Sequence, residues 1–184
     1  MEQSERKILF DEQGLKPGTP YEKGQWQQIS THSATEIKGF FGEYKFLSNF
    51  WPAKVFLDGE EYATTENAYQ AAKYPKELRE YLRTCTPREA IVFVRDNPEG
   101  QATEAEWNTR KLQVMKDLLI QKFDKALNPE NHNKLMQTGN KYLEETNYWG
   151  DVYWGVNKSD MNEEGIGENN LGKLLMEIRS NMVI

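Results

Sequence analysis

The segment TTENAYQAAKYP, residues 64–75, spaces Glu66, Gln70 and Lys73 at i, i+4 and i+7, with Tyr69 beside them. On an α-helix that spacing makes one stripe. A carboxylate can steady positive charge, an amide can orient it, and an amine can grip a phosphate or attack a carbonyl carbon. The plainer reading is a solvated face tied by a weak ion pair. In FLSNF, residues 46–50, Ser48 and Asn49 stand between Leu47 and Phe50. They either present donors and acceptors to a pocket or close a turn on their own backbone. NYWGDVYWGVNKSD repeats Tyr-Trp-Gly around Asp151, with Trp149 and Trp154 available to stack on a flat ring or to plug a core. Glycine beside each Trp permits close backbone approach. Asn169 and Asn170 precede the last helical segment, where one of them caps the helix or the helix end receives an anion.

Other chemistries lack parts. His32 and His132 are the only histidines and sit in polar, turn-rich surroundings, which leaves little for a Ser-His or Cys-His pair. The single Cys85 permits no internal disulfide, anchors no zinc site alone, and reads as a buried or half-buried thiol. There is no glycine-rich phosphate loop after a strand and no cluster of metal-ligand spacing, so neither metal nor cofactor is expected. The net charge of −6 opposes non-specific coating of nucleic acid but allows a pocket that grips one phosphorylated group. No apolar run approaches the ~18 residues of a membrane span, and the first residues lack a signal-peptide pattern, so cytosolic residence is expected.

The elements that must position these groups follow from local rules. The 184 residues, with five Trp, nine Tyr and eight Phe, suffice for one domain and its core. Residues 1–35 read as a polar extension, extended or loosely ordered, or else a strand pair packed on the domain, and 36–184 as the functional domain. Asp58-Gly59 between AKVFL and EEYAT signals a hairpin near 53–63, with Pro52 at the start or edge of its first strand. Thr64 or Thr65 can cap the helix that carries the stripe, and Pro75 ends or kinks it. Thr86–Glu89 and Thr103–Glu106 are capping boxes, opening helices to about Arg95 and about Ala126. Trp107, Leu112, Met115, Leu118, Leu119 and Phe123 recur at helical spacing on the second. A short helix follows Pro129. A last helix over about 171–182 buries Leu171, Leu174, Leu175 and Ile178. The expected class is α+β, mainly α: a compact single domain with a small β-hairpin.

In order, FLSNF, a DG hairpin, T-x-E-x-x-Y-Q-A-x-K, a helical Trp followed by Met and KF, DVYWG, and GENNLGKLLMEIR resemble the NADAR (YbiA-like) family over about residues 39–179. The resemblance implies hydrolysis of an N-glycosidic bond to ribose. Family members process ADP-ribose, some removing it from guanine bases of nucleic acid and so reversing a toxin's modification. A branch acts on ribosylamino intermediates of riboflavin synthesis, and a non-catalytic module that binds ADP-ribose or NAD is a further reading. By resemblance Glu66 and Asp151 fall in catalytic positions, with Lys73 as Schiff-base amine, phosphate ligand or partner of Glu66. Substrate contacts are expected from Ser48, Asn49, Phe50, Tyr69, Gln70, Trp107, Trp149, Trp154, Asn169 and Gly172. Two Trp-Gly pairs leave either Trp149 or Trp154 as the stacking residue. The implied partners are an ADP-ribose-containing or ribosyl-phosphate substrate, ADP-ribosylated single-stranded nucleic acid, and an unidentified toxin. The NKSDMNEEG stretch reads as a lengthened loop.

Overall fold

Through the chain run β1 (Thr31–His32), β2 (Glu36–Lys38), β3 (Pro52–Leu57), β4 (Glu60–Thr64), α1 (Thr65–Ala71), α2 (Glu80–Thr84), α3 (Pro87–Asp96), α4 (Glu104–Lys122) and α5 (Pro129–Gln137). Then follow β5 (Tyr142–Glu144), β6 (Thr146–Asn147), β7 (Val156–Ser159), β8 (Asn162–Ile166) and α6 (Asn170–Asn181). The structure, a computed structural model, describes residues 31–159 and 162–182. Residues 1–30 of the polar extension lie outside the described residues. The fold is α+β and mainly helical, as expected. Its described residues gather into two units, one from 31–45 and 140–177, the other from 46–139 and 178–182.

In the second unit the hairpin forms where Asp58-Gly59 demanded it. Both turn residues take positive φ, 51° and 81°, which matches the right-handed twist of the flanking strands. Pro52 starts β3, and β3 pairs antiparallel with β4. The outer edge of β3 is sealed by side-chain amides: Gln121 exchanges hydrogen bonds with the Phe56 backbone and Asn128 with that of Lys54. An edge so occupied cannot template another strand. Both capping boxes form, Thr86 with Glu89 and Thr103 with Glu106, and they open α3 and α4. Met115, Leu118, Leu119 and Phe123 are buried with Leu82, Leu135 and Tyr62.

Two expectations are corrected here, and one short helix is added. α4 ends at Lys122 rather than near Ala126, because the Asp124 carboxylate accepts the N–H groups of Ala126 and Leu127 and turns the chain. Leu112 is 43% exposed and leaves the apolar stripe. α2 was not foreseen, since five residues carry too little periodicity to register.

The first unit holds two three-stranded sheets, β1-β2-β5 and β6-β7-β8, with β2–β5 and β6–β7 parallel. Residues 157–159 and 162–165 of the NKSDMNEEG stretch therefore belong to the antiparallel β7–β8 pair rather than to a plain loop. Of residues 1–35, Thr31–His32 form β1, which pairs antiparallel with β2 of the following domain. Leu171, Leu174, Leu175 and Ile178 of α6 are all buried, as their spacing requires.

Candidate active site

Thr64 caps α1 by accepting the Asn67 N–H, and every residue of the helix from Thr65 to Ala71 is buried. A helix buried all round has no solvated face, so its polar side chains must find partners or serve a ligand. Asn67 is spent on the scaffold: its amide donates to the carbonyls of Leu82 and Cys85, each at 2.9 Å. Glu66 and Gln70 are used differently. Gln70 Nε2 donates to Glu66 Oε1 at 2.7 Å, and Lys73 Nζ donates to Gln70 Oε1 at 2.7 Å. The stripe is a relay of carboxylate, amide and amine. Glu66 is only 8% exposed.

Lys73 is not on the helix, contrary to the i+7 reading. Ala72 is the C-cap, and the chain turns because Tyr74 precedes Pro75 and is pushed from the helical region. Two backbone bonds fix Lys73 there: its N–H donates to the Gln70 carbonyl and its carbonyl accepts the Ala102 N–H at 2.8 Å. Burial lowers the pKa of its amine below the usual lysine range, with the Glu66 charge acting in the opposite sense.

Tyr69 and Trp107 pack with ring centroids 5.0 Å apart, and the Lys73 ammonium lies 5.6 Å from each ring. Arg110, one turn beyond Trp107, lies 5.2 Å from the indole and donates to the Ala72 carbonyl at 2.6 Å. Sequence reasoning passed over Arg110. Its i+3 offset from Trp107 was the signal available.

The FLSNF loop meets the relay through the backbone, where the Glu66 N–H donates to the Asn49 carbonyl at 3.1 Å. Ser48 Oγ accepts the Phe50 N–H within its own loop, so its hydroxyl does the plainer of the two jobs. Asn49 is 9% exposed, and its Oδ1 is buried with no hydrogen-bond partner among the described residues. A buried acceptor left open beside a catalytic candidate invites a ligand hydroxyl or N–H. Phe50 is 40% exposed.

Asp151, Trp149, Trp154, Asn169 and Gly172 belong to the first unit, gathered around the start of α6. Asp151 Oδ1 accepts the N–H groups of Tyr153 and Trp154, and Asn147 clasps the Asp151 backbone at both its N–H and its carbonyl. The Val152, Tyr153 and Trp154 carbonyls in turn accept the N–H groups of Glu168, Asn170 and Leu171. Trp149 and Trp154 are both half-buried and each meets its preceding tyrosine edge-on, while the Trp154 backbone is also tied to Asp151 and Leu171. Glycine does supply close approach: a Cβ on Gly155 would strike the Glu145 carbonyl. Asn169 is spent on structure, its carboxamide accepting from the Glu145 N–H and donating to the Leu143 carbonyl and the Tyr142 hydroxyl. Its φ of 53° turns the chain into α6. Gly172 lies where a Cβ would press on the Leu143 carbonyl.

The remaining candidates stay quiet. His32 and His132 bond the carbonyls of Gly39 and Phe123. Cys85 is free and half-buried, and burial pushes its thiol up. Among the described residues no group of three or more His, Cys, Asp or Glu could hold a metal ion, and no helix is long and apolar enough to cross a membrane.

Comparison with known proteins gives a family model and relatives. The NADAR domain model matches residues 37–183. The N-glycosidase YbiA of Escherichia coli is 35% identical over 147 residues, 77% of this chain and 84% of that protein. A riboflavin biosynthesis protein of Vibrio vulnificus is 29% identical over 139 residues, 74% of this chain but 35% of the relative. The NMR structure of Escherichia coli YbiA superposes with a TM-score of 0.67 at 30% identity, covering 84% of this chain and 89% of that one.

Proposed function

The chain belongs to the NADAR domain family, and from that premise we propose that it is an N-glycosidase cleaving the bond between a ribose anomeric carbon and a nitrogen. The observation that carries this reading is the buried relay of Glu66, Gln70 and Lys73 beside the Tyr69–Trp107 pair. Cleavage of a ribosyl C–N bond develops positive charge at the anomeric carbon, and a buried carboxylate held in place stabilises it with little reorganisation. Gln70 is that holder. Lys73, desolvated and biased toward the neutral amine, is the nucleophile: it attacks C1 of the ring-opened sugar, expels the base amine, and leaves an imine that water hydrolyses. Net consumption is one water, giving free sugar and unmodified base. Asn49 Oδ1 accepts from a ribose hydroxyl, and Trp107 with Tyr69 forms an aromatic wall for the substrate. In the first unit Asp151 shapes the Tyr-Trp-Gly loop through the Tyr153 and Trp154 N–H groups.

The substrate we put first is ADP-ribose on a guanine base of single-stranded nucleic acid, as the family resemblance implies. Arg110 supplies a cation for its phosphates. A second reading, favoured by the name of the Vibrio relative, is a ribosylamino-pyrimidine phosphate. Incubation with each substrate, followed by mass spectrometry, separates them. Free ADP-ribose and a restored oligonucleotide support the first, while ribose phosphate from the pyrimidine supports the second. Turnover of neither refutes the N-glycosidase reading, and tight binding of ADP-ribose without turnover leaves a binding module.

A further inference from the structure

Lys122, the last residue of α4, is 0% exposed, an unusual setting for an ammonium group. Its Nζ donates to the Ser48 carbonyl at 2.6 Å. That carbonyl also accepts the Trp51 N–H, and the next carbonyl along, that of Asn49, accepts the Glu66 N–H. One lysine therefore grips the peptide unit that joins Ser48 to Asn49, and Asn49 in turn has two outputs. Through Asn49 O it holds the first turn of α1 at Glu66, and through the Asn49 side chain it presents the open, buried Oδ1. We infer that Lys122 is a positioning residue for the reaction, fixing Glu66 and Asn49 by its hold on the Ser48 carbonyl.

A lysine there does what an apolar residue of the same length cannot. Thr64 satisfies only the Asn67 N–H of α1, so the Glu66 N–H depends on a carbonyl from a separate loop. That loop, residues 48–51, is a single turn whose other internal bonds are the Phe50 N–H to Ser48 Oγ contact and the Trp51 N–H to Ser48 O contact. Neither reaches across to α4. The ammonium is a polar link that ties the turn to the long helix, and a charged donor makes a stronger bond to a carbonyl than a neutral one. Small errors in placing a catalytic group are expensive in rate, about 10²-fold for 1 Å.

This inference rests on the role given above to Glu66, and its test has one arm independent of turnover. Lys122→Met keeps the length and removes the donor. In it, backbone amide exchange at Glu66 is expected to speed up by about tenfold or more, while exchange at Leu118 and Leu119 stays at the parental rate. Unchanged exchange at Glu66 overturns the inference whatever the activity. With the substrate that the parent cleaves, kcat should fall about 10- to 100-fold while KM holds within about twofold. An unchanged kcat, or a loss confined to the unfolded fraction, also overturns it. Lys122→Arg retains a cationic donor and should recover most of both readouts; an arginine variant as loose and as slow as methionine rules out the hydrogen bond as the link. Should Lys122→Met fail to fold, Lys122→Leu, which also lacks a donor, takes its place with the same readouts. If the parent cleaves neither substrate, the proposed activity falls while the exchange measurement still decides the role of Lys122.

Discussion

Replacing Glu66 with glutamine removes one charge and almost no volume. The new carboxamide would still offer a carbonyl oxygen to Gln70 Nε2, so the relay to Lys73 and the fold around α1 should survive. What disappears is the charge facing the anomeric carbon. A unit charge about 4 Å from a cation, at an effective dielectric of about 20, is worth about 4 kcal/mol. The carboxamide dipole keeps a fraction of it, which leaves a loss of about 10²–10³ in rate, as for other preorganised electrostatic groups. A second effect runs through Lys73. The Glu66 charge opposes the fall in the amine's pKa caused by burial, so removing it lets that pKa drop further. The limb of activity that rises with pH as the amine loses its proton should then move to lower pH in the variant. Single-turnover release of product, measured from about pH 6 to about pH 10 beside product affinity and Tm, reads all three quantities. Parental rate in Glu66→Gln would refute the electrostatic role, and so would a loss of product affinity as large as the loss of rate.

Lys73→Arg keeps a cation but cannot form an imine, so turnover should vanish, and borohydride should trap a sugar adduct on Lys73 of the parent during turnover. Activity in the arginine variant would reduce Lys73 to a phosphate ligand. The depressed pKa of Lys73 also sets a sign for stability. Between its folded value and the unfolded value of about 10.4 the unfolded chain binds the extra proton, so the parent should gain stability as pH rises through that window. Lys73→Met should lack the gain, and parallel urea midpoints for the two proteins across that range would contradict it. Gly172→Ala should cost about 1–3 kcal/mol, because the new methyl presses on the Leu143 carbonyl and the Asn169 carboxamide. An unaltered Tm would show that α6 can shift to admit it.

Local chemistry made much of this fold legible. Asp58-Gly59 announced a hairpin because few other dipeptides tolerate two positive φ angles in succession, and the two capping boxes marked α3 and α4 for equally local reasons. The ends of helices were harder to read. Tyr74-Pro75 stops α1 two residues before Lys73, yet the i, i+4, i+7 pattern looks the same whether or not the last member is helical. Lys122 entered only as half of the KF pair, and its burial was not legible because it depends on the Ser48 carbonyl, 74 positions away. Asn169 illustrates the opposite difficulty. Its position before α6 suits a ligand and a brace equally, and only its three bonds to residues 142–145 distinguish them.

The end of α1 at Ala71 has a consequence for how such a site can change over generations. Glu66 hangs from the Thr64 cap and the Asn49 carbonyl, whereas Lys73 hangs from Ala102, at the close of the exposed turn between α3 and α4. Insertions, deletions or substitutions in residues 97–102 therefore shift the amine while the carboxylate keeps its place. The gap between the two groups is thus set in part from a surface turn, which Gln101 braces against Tyr74 and Val94. Lineages built on this scaffold could reach sugars whose leaving groups sit at other separations by editing that turn alone.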